Sequence, residues 1–292
     1  MLTRTALQAL ARAALAEDIG SGDATTLAVV PEGLVVTAFI NTREACVCAG
    51  LDLAEEIFRE LDPTCVFERL AKDGASCPAR TNLARVRGPA RAILSGERVA
   101  LNFLQRLSGT ATLTRRYVEA VGRHPARILD TRKTTPGLRA LEKYAVRMGG
   151  GDNHRMGLYD RIMIKDNHRL LANLEGPGGL RRAVEASRRL YPALSVEVEA
   201  DCLDDVAEAI EARADCILLD NMDDEQIRDA VRLVGGRALT EASGGMTLER
   251  IPAVAAAGVD FISVGALTHS ARAIDIGLDL PPPNPAGRGA LT

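Results

Sequence analysis

Apolar residues recur along this chain with two patterns, and the change from one to the other falls after about residue 121. In the first part, residues 5–17 place Leu7, Leu10, Ala14 and Leu15 on one face of a helix. A turn over Asp18–Asp23 follows, then strand-like stretches at 34–40, 45–48, 65–69 and near 83–86, with a helix over 52–61. This mixture predicts an α+β unit with antiparallel pairing. Ser95 is a candidate N-cap for a helix carrying Val99, Leu101, Phe103, Leu104 and Leu107. Gly109 is expected to interrupt that helix before a second one runs to about Val121.

Beyond that point short β-rich runs at 126–129, 161–164, 195–198, 216–219, 238–240 and 261–264 alternate with amphipathic helices over 137–148, 179–190, 203–213, 223–234 and 247–257. Regular alternation implies parallel βαβ units. Six strands are fewer than the eight of a closed barrel, so the pattern predicts an open, incomplete TIM-like α/β barrel after an N-terminal α/β sandwich. The expected boundaries are 1–114 for the first domain, 115–274 for the barrel and 275–292 for a tail returning to the first domain.

Composition narrows the function classes. The chain has 292 residues, 47% hydrophobic and 26% charged, and a formal net charge of -3. That balance fits a globular protein and gives no global basic field for nucleic acid, so anion binding must come from local clusters. None of the six cysteines forms a C-x-x-C pair, and they read as free thiols. The N-terminal stretch is broken by Gln8 and Arg12 and closed by Glu17-Asp18, a poor signal peptide. No run approaches the roughly 20 apolar residues of a membrane span. A cytoplasmic location, with no membrane and no nucleic-acid partner, is expected.

The residues after each apolar run of the second half carry the chemistry. They are Asp130-Thr131-Arg132-Lys133, Lys165-Asp166-Asn167-His168, Glu199, Asp220-Asn221, Glu241 with Ser243-Gly244-Gly245, and Gly265-Ala266. Parallel βα architectures bind ligands at the carboxyl ends of their strands. The cations Arg132, Lys133, Arg139, His154, Arg155, Lys165 and His168 suit carboxylates and phosphates. His269 falls in the same set of loops, whereas His124 before Pro125 is expected to be structural. Glu199 and Asp220 can hold Mg²⁺ or sugar hydroxyls, or simply cap strands and pair with arginines. Glu197 and Glu199 are expected on opposite sides of their strand, with Glu199 the one facing the pocket. Ser243-Gly244-Gly245 is expected to lead directly into a helix near Thr247 and offer backbone N–H groups to a phosphate, with Gly265-Ala266 adding to it. No P-loop, dinucleotide fingerprint, H-E-x-x-H or nucleophile elbow is present.

Together these segments resemble the quinolinate phosphoribosyltransferase family. The resemblance rests on E-D-I-G with G-D-A-T-T (17–26), SGERVALNFLQRLSGTAT (95–112), DTRKTTPGLR (130–139), GGGDNHRMGL (149–158), IKDNH (164–168), EVE (197–199), LLDN (218–221), EASGG (241–245) and VGALTHS (264–270). It implies that quinolinate and phosphoribosyl pyrophosphate react with Mg²⁺ to give nicotinate mononucleotide, pyrophosphate and CO2 in NAD biosynthesis. It implies a homodimer in which Arg106 reaches the neighbouring subunit's site. It also implies a dicarboxylate clamp of Arg106, Arg132, His154, Arg155 and Lys165, with Lys133 and Lys165 meeting pyrophosphate. Glu199 and Asp220 would serve the ribose and metal, and Ser243, Gly244, Gly245 and Gly265 the 5′-phosphate. A sister phosphoribosyltransferase acting on another base and a non-catalytic phosphosugar-binding protein are the alternatives. The IKDNH segment with Arg106 argues against the first, and the intact acidic pair with both lysines against the second.

Overall fold

A computed structural model describes residues 3–173 and 176–281. Residues 1–2, 174–175 and 282–292 lie outside the described residues, and with them most of the expected tail over 275–292. The chain divides into two units: the described parts of Met1–Leu113, Ala140–Gly150 and Ala271–Thr292 form the first, Thr114–Arg139 and Gly151–Ser270 the second.

In the first unit, β1 (Val35–Thr42), β2 (Cys46–Val47), β3 (Val66–Arg69), β4 (Ser76–Cys77) and β5 (Asn82–Pro89) precede the long helix Ala90–Val121. The second unit contributes β6 (Arg127–Leu129), β7 (Ile162–Ile164), β8 (Val196–Ala200), β9 (Cys216–Asp220), β10 (Leu239–Ser243) and β11 (Phe261–Ser263). The chain then returns to the first unit as β12 (Ile276–Asp279). The first unit's main sheet has the order β12-β1-β5-β3 with every neighbour antiparallel. Ile40, Ala38, Ala84 and Val86 point to its buried side, and Leu53, Ile57 and Phe58 of helix Leu51–Leu61 are fully covered. Each such large apolar side chain contributes about 1.5–3 kcal/mol on burial.

The helix expected to break at Gly109 does not break. Ala90–Val121 is one helix of 32 residues. Ser95 lies inside it rather than at its cap, and its hydroxyl donates to Asp23 Oδ2 at 2.9 Å. Gly109 serves packing rather than termination: a Cβ there would stand 1.9 Å from the carbonyl oxygen of Arg272. A glycine in a helix costs about 1 kcal/mol against alanine, less than the neighbouring turns supply.

The second unit is the open barrel. Its sheet has the order β6-β11-β10-β9-β8-β7, and all five pairings are parallel. The strands β6 and β7, first and second in the chain, are the two edges, so the sheet is not closed between them. Asp152 makes a single parallel bridge to Leu129 at the β6 edge. Helices Gly179–Leu190, Leu203–Glu211 and Asp224–Val234 alternate with the strands. Asp223 and Gln226 form a capping box at the start of the last of these.

Candidate active site

A cleft of about 420 Å³ opens among the strands of the second unit, lined by Thr131, Arg132, Lys133, His154, Arg155, Met163, Lys165, Glu199, Leu218, Asp220, Glu241, Ser243 and Ser263. These residues come from, or directly follow, all six parallel strands, apart from His154 and Arg155 in the segment before β7. A larger hollow of about 1000 Å³ lies among residues such as Arg188, Asp215, Leu239 and Asp260, where strands begin. There Arg188 pairs with Asp215, and Asp260 accepts from Thr240.

The cationic side of the cleft is held by its own backbone. Thr268 Oγ1 donates to the carbonyl of Lys133 at 2.7 Å, fixing the loop after β6. Arg132 and Lys133 are exposed from it. Arg155 is half-buried, with Nη1 donating to the Arg161 carbonyl at 3.3 Å. Burial and then the Arg132 guanidinium lower its pKa, the mark of two cations sharing a space suited to an anion. Arg139 braces the same loops, donating to Thr134 Oγ1 at 2.9 Å and to the Met156 carbonyl at 3.1 Å. His168 Nδ1 accepts the backbone N–H of Lys165 at 3.0 Å, which orients Lys165 where β7 ends.

The acidic side faces it. Lys165 Nζ is ion-paired with Glu199 Oε2. Asp220, the last residue of β9, has a raised pKa, first by burial and then by Asp201, with Lys165 and Lys133 opposing. Asn221 stands beside it at φ +55° and donates to Asp220 Oδ2 at 2.7 Å. Carboxylate oxygens of Glu199, Asp201 and Asp220 lie within 4.8 Å of one another. Such a hard-oxygen set, in which burial and then Glu199 raise the Asp201 pKa and burial and then Asp201 raise that of Asp220, fits a Mg²⁺-like cation. Asp201 is an addition to the pair expected from sequence; it lies two residues past Glu199, on the same side of the chain.

The same spacing corrects the expectation for Glu197. Residues two apart share a face of a strand, so Glu197 and Glu199 both turn inward. Glu197 is fully buried and Glu199 is 8% exposed. Glu241 was expected after its strand but lies within β10, also fully buried. Between these two glutamates sits the His154 ring, with Nε2 at 3.1 Å from Glu197 and 3.5 Å from Glu241.

The glycine segment also differs from expectation. Gly244 and Gly245 adopt φ +84° and +60° after β10, but a turn follows, and the helix starts only at Ile251 and is six residues long. Backbone N–H groups of the loop, not a helix terminus, are what this segment offers. Gly244 packs against Asn221, whose Oδ1 would stand 2.2 Å from a Cβ at 244. Gly265 abuts the Lys133 side chain and His269, drawing the last loop beside the first. Ala266 and His269 begin and end a four-residue helix; His269 Nδ1 meets Ser270 Oγ at 2.6 Å. Arg106 belongs to the first unit, where its Nη1 donates to the Ala271 carbonyl at 2.8 Å. Gly244, Gly245, Gly265, Ala266, His269, Arg139 and His168 are not among the residues lining the cleft itself.

An open parallel barrel with one cation-rich and one acidic wall defines a binding protein or enzyme for a small polyanion carrying hydroxyl groups. Comparison with known proteins names the family. The quinolinate phosphoribosyl transferase N-terminal domain matches residues 23–108 and the C-terminal domain of that family residues 110–279. The chain belongs to the quinolinate phosphoribosyl transferase family. It is 43% identical over 294 aligned positions to a carboxylating nicotinate-nucleotide pyrophosphorylase of Arabidopsis thaliana, covering 94% of this chain and 82% of that one. The solved nicotinate-nucleotide pyrophosphorylase of Francisella tularensis superposes with a TM-score of 0.90 at 41% identity, covering 96% and 98%. A pyrophosphorylase structure from Pyrococcus furiosus, at 19% identity and TM-score 0.63, shares the fold. Among the described residues no helix is long and apolar enough to cross a membrane.

Proposed function

We propose that this protein transfers the phosphoribosyl group of phosphoribosyl pyrophosphate to quinolinate and releases CO2, giving nicotinate mononucleotide and pyrophosphate, and that it does so in the cytoplasm as a homodimer. The observation that carries this reading is the pair of facing walls, Arg132 and Arg155 on one side and the Lys165–Glu199 pair with Asp220 on the other.

Arg132 and Arg155 bind the two adjacent carboxylates of quinolinate, with Arg106 supplied by the partner subunit. Arginine forks suit planar carboxylates and hold the ring nitrogen towards the sugar. The nitrogen's electron pair forms the new bond to C1′ as the C1′–O bond breaks, and pyrophosphate leaves with that bond's electrons. Lys133 and Lys165 stabilise the departing charge, while Glu199 and Asp220 face the electron-poor sugar carbon and its hydroxyls. Ser243, Gly244, Gly245 and Gly265, with Ala266 and His269 nearby, receive the 5′-phosphate. Arg139 and His168 serve these contacts by bracing the loops. The ring is now a pyridinium. When the bond from C2 to its carboxylate breaks, the electrons remain at C2 beside the cationic nitrogen, and a proton then joins C2. Glu199, Asp201 and Asp220 would hold Mg²⁺, which when bound neutralises pyrophosphate charge.

Competition among pyridine carboxylates tests this reading. Quinolinate should be consumed with phosphoribosyl pyrophosphate and Mg²⁺, and nicotinate, with one carboxylate, should be a far weaker substrate. Turnover of nicotinate with none of quinolinate would overturn it.

A further inference from the structure

His154 lines the cleft, but its polar atoms are turned to the protein. Its backbone N–H donates to Asp130 Oδ1 at 2.9 Å. Its Nδ1 accepts the backbone N–H of Arg155 at 2.7 Å. A nitrogen that accepts carries no proton, so the ring's proton is on Nε2. Nε2 lies 3.1 Å from a Glu197 oxygen and 3.5 Å from a Glu241 oxygen, the nearest carboxylates to that proton. Burial lowers the ring's pKa, but the nearby Glu197 and Glu241 carboxylates outweigh it and lift it to about 9; a second proton on Nδ1 would have to displace the Arg155 N–H, so this geometry holds the ring neutral against that pull.

The glutamates are unusual for their depth. Both are fully buried on β8 and β10. Arg161 Nη1 approaches Glu197 only to 3.5 Å. Buried carboxylates are costly unless paired or neutralised. Burial and then Glu197 hold the Glu241 carboxyl above its ordinary range. A neutral Glu241 carboxyl can donate to Glu197 while accepting from His154, which satisfies the set with one proton.

We propose that Glu241 is a positioning residue for the dicarboxylate clamp: with Glu197 it holds His154 by its Nε2–H, and His154 Nδ1 fixes the backbone from which Arg155 enters the cleft. His154 is then a strut for Arg155 rather than a ligand of the substrate. The kinetic part of this inference rests on the reaction proposed above; the tautomer does not.

Two measurements test it. Nitrogen-15 NMR of histidine-labelled protein, with His154 assigned by the missing signals of His154→Asn, should show His154 at neutral pH as the Nε2–H tautomer. An imidazolium or an Nδ1–H tautomer overturns the proposal whatever the enzyme's substrate. In steady-state kinetics Glu241→Gln, which can make the same two hydrogen bonds, should leave the KM for quinolinate within about threefold of wild type. Glu241→Ala should raise that KM about tenfold or more, the range for losing a hydrogen bond to a charged group, and leave the KM for phosphoribosyl pyrophosphate within about twofold. Equal effects of the two variants, or a rise in both KM values together, would contradict the strut. If Glu241→Ala does not fold, His154→Asn takes its place, with the same split of KM values expected.

Discussion

Lys165 and Glu199 form an ion pair between β7 and β8, adjacent parallel strands that both end in the cleft. Glu199 is nearly buried, and the His168 ring fixes the backbone of Lys165. In the proposed reaction the pair sets a negative group beside the sugar carbon as it becomes electron-poor and a positive group beside the pyrophosphate as it takes up the C1′–O electrons. Lys165→Ala is expected to lower kcat by about 10²–10³-fold, the cost of losing one pre-placed charge-stabilising group. Because Lys165 is 43% exposed, the melting temperature should hardly move. A kcat within threefold of wild type would remove Lys165 from the chemistry.

Gly244 ties the loop after β10, proposed to take the 5′-phosphate, to the acidic wall through Asn221. Gly244→Ala would set a Cβ 2.2 Å from Asn221 Oδ1 and 2.8 Å from its backbone nitrogen, at φ +84°. The left-handed conformation alone costs a residue with a Cβ about 1–2 kcal/mol. Steady-state kinetics should show the KM for phosphoribosyl pyrophosphate rising by more than the KM for quinolinate. A larger effect on quinolinate would place the phosphate elsewhere.

These sites differ in how far the sequence reveals them. The parallel barrel is legible because its strands are short apolar runs separated by amphipathic helices, and the charges at their ends stand out against apolar neighbours. Glu197 and Glu241 are hidden by the same logic. A buried glutamate inside a strand reads as a strand end or a solvated face, and only counting by twos from Glu199 along β8 would have turned Glu197, and Asp201, to the inner side. Gly109 misleads for another reason: a helix-breaking residue is also what permits the Arg272 carbonyl to approach, and that partner lies 163 residues away. The turn between Gly245 and Ile251 is local, yet nothing in S-G-G-M-T-L-E-R separates a delayed helix start from an immediate one.

Acid stability gives a test in the first unit. Arg272, and then the backbone N–H of Asp275, hold the Glu44 carboxyl down to about 2, with Arg272 Nη1 and Asp275 N at 2.8 and 3.0 Å from Oε1. A carboxyl depressed on folding stabilises the protein above its unfolded pKa of about 4.3, and that contribution is lost as pH falls towards the folded value. The urea midpoint of wild type should exceed that of Glu44→Gln at neutral pH, and the gap should close between about pH 4 and 2. A gap constant across that window would mean the charge is not what the contact uses.

The proposed sharing of the site between subunits predicts complementation. Arg106→Ala and Lys133→Ala proteins should each be nearly inactive. Co-refolded, they should regain about a quarter of wild-type activity, because half the dimers are mixed and each mixed dimer has one intact site. Mixed dimers isolated without activity would argue for a site made within one chain.

The cleft is proposed to join a dicarboxylate to a phosphoribosyl group and then to release one carboxylate. The most direct measurement uses quinolinate labelled at the C2 carboxylate, with phosphoribosyl pyrophosphate and Mg²⁺, following label, mononucleotide and pyrophosphate together. One labelled CO2 for each mononucleotide and each pyrophosphate is the predicted result. A mononucleotide that keeps the label, or no reaction with quinolinate while another base is consumed, would contradict it.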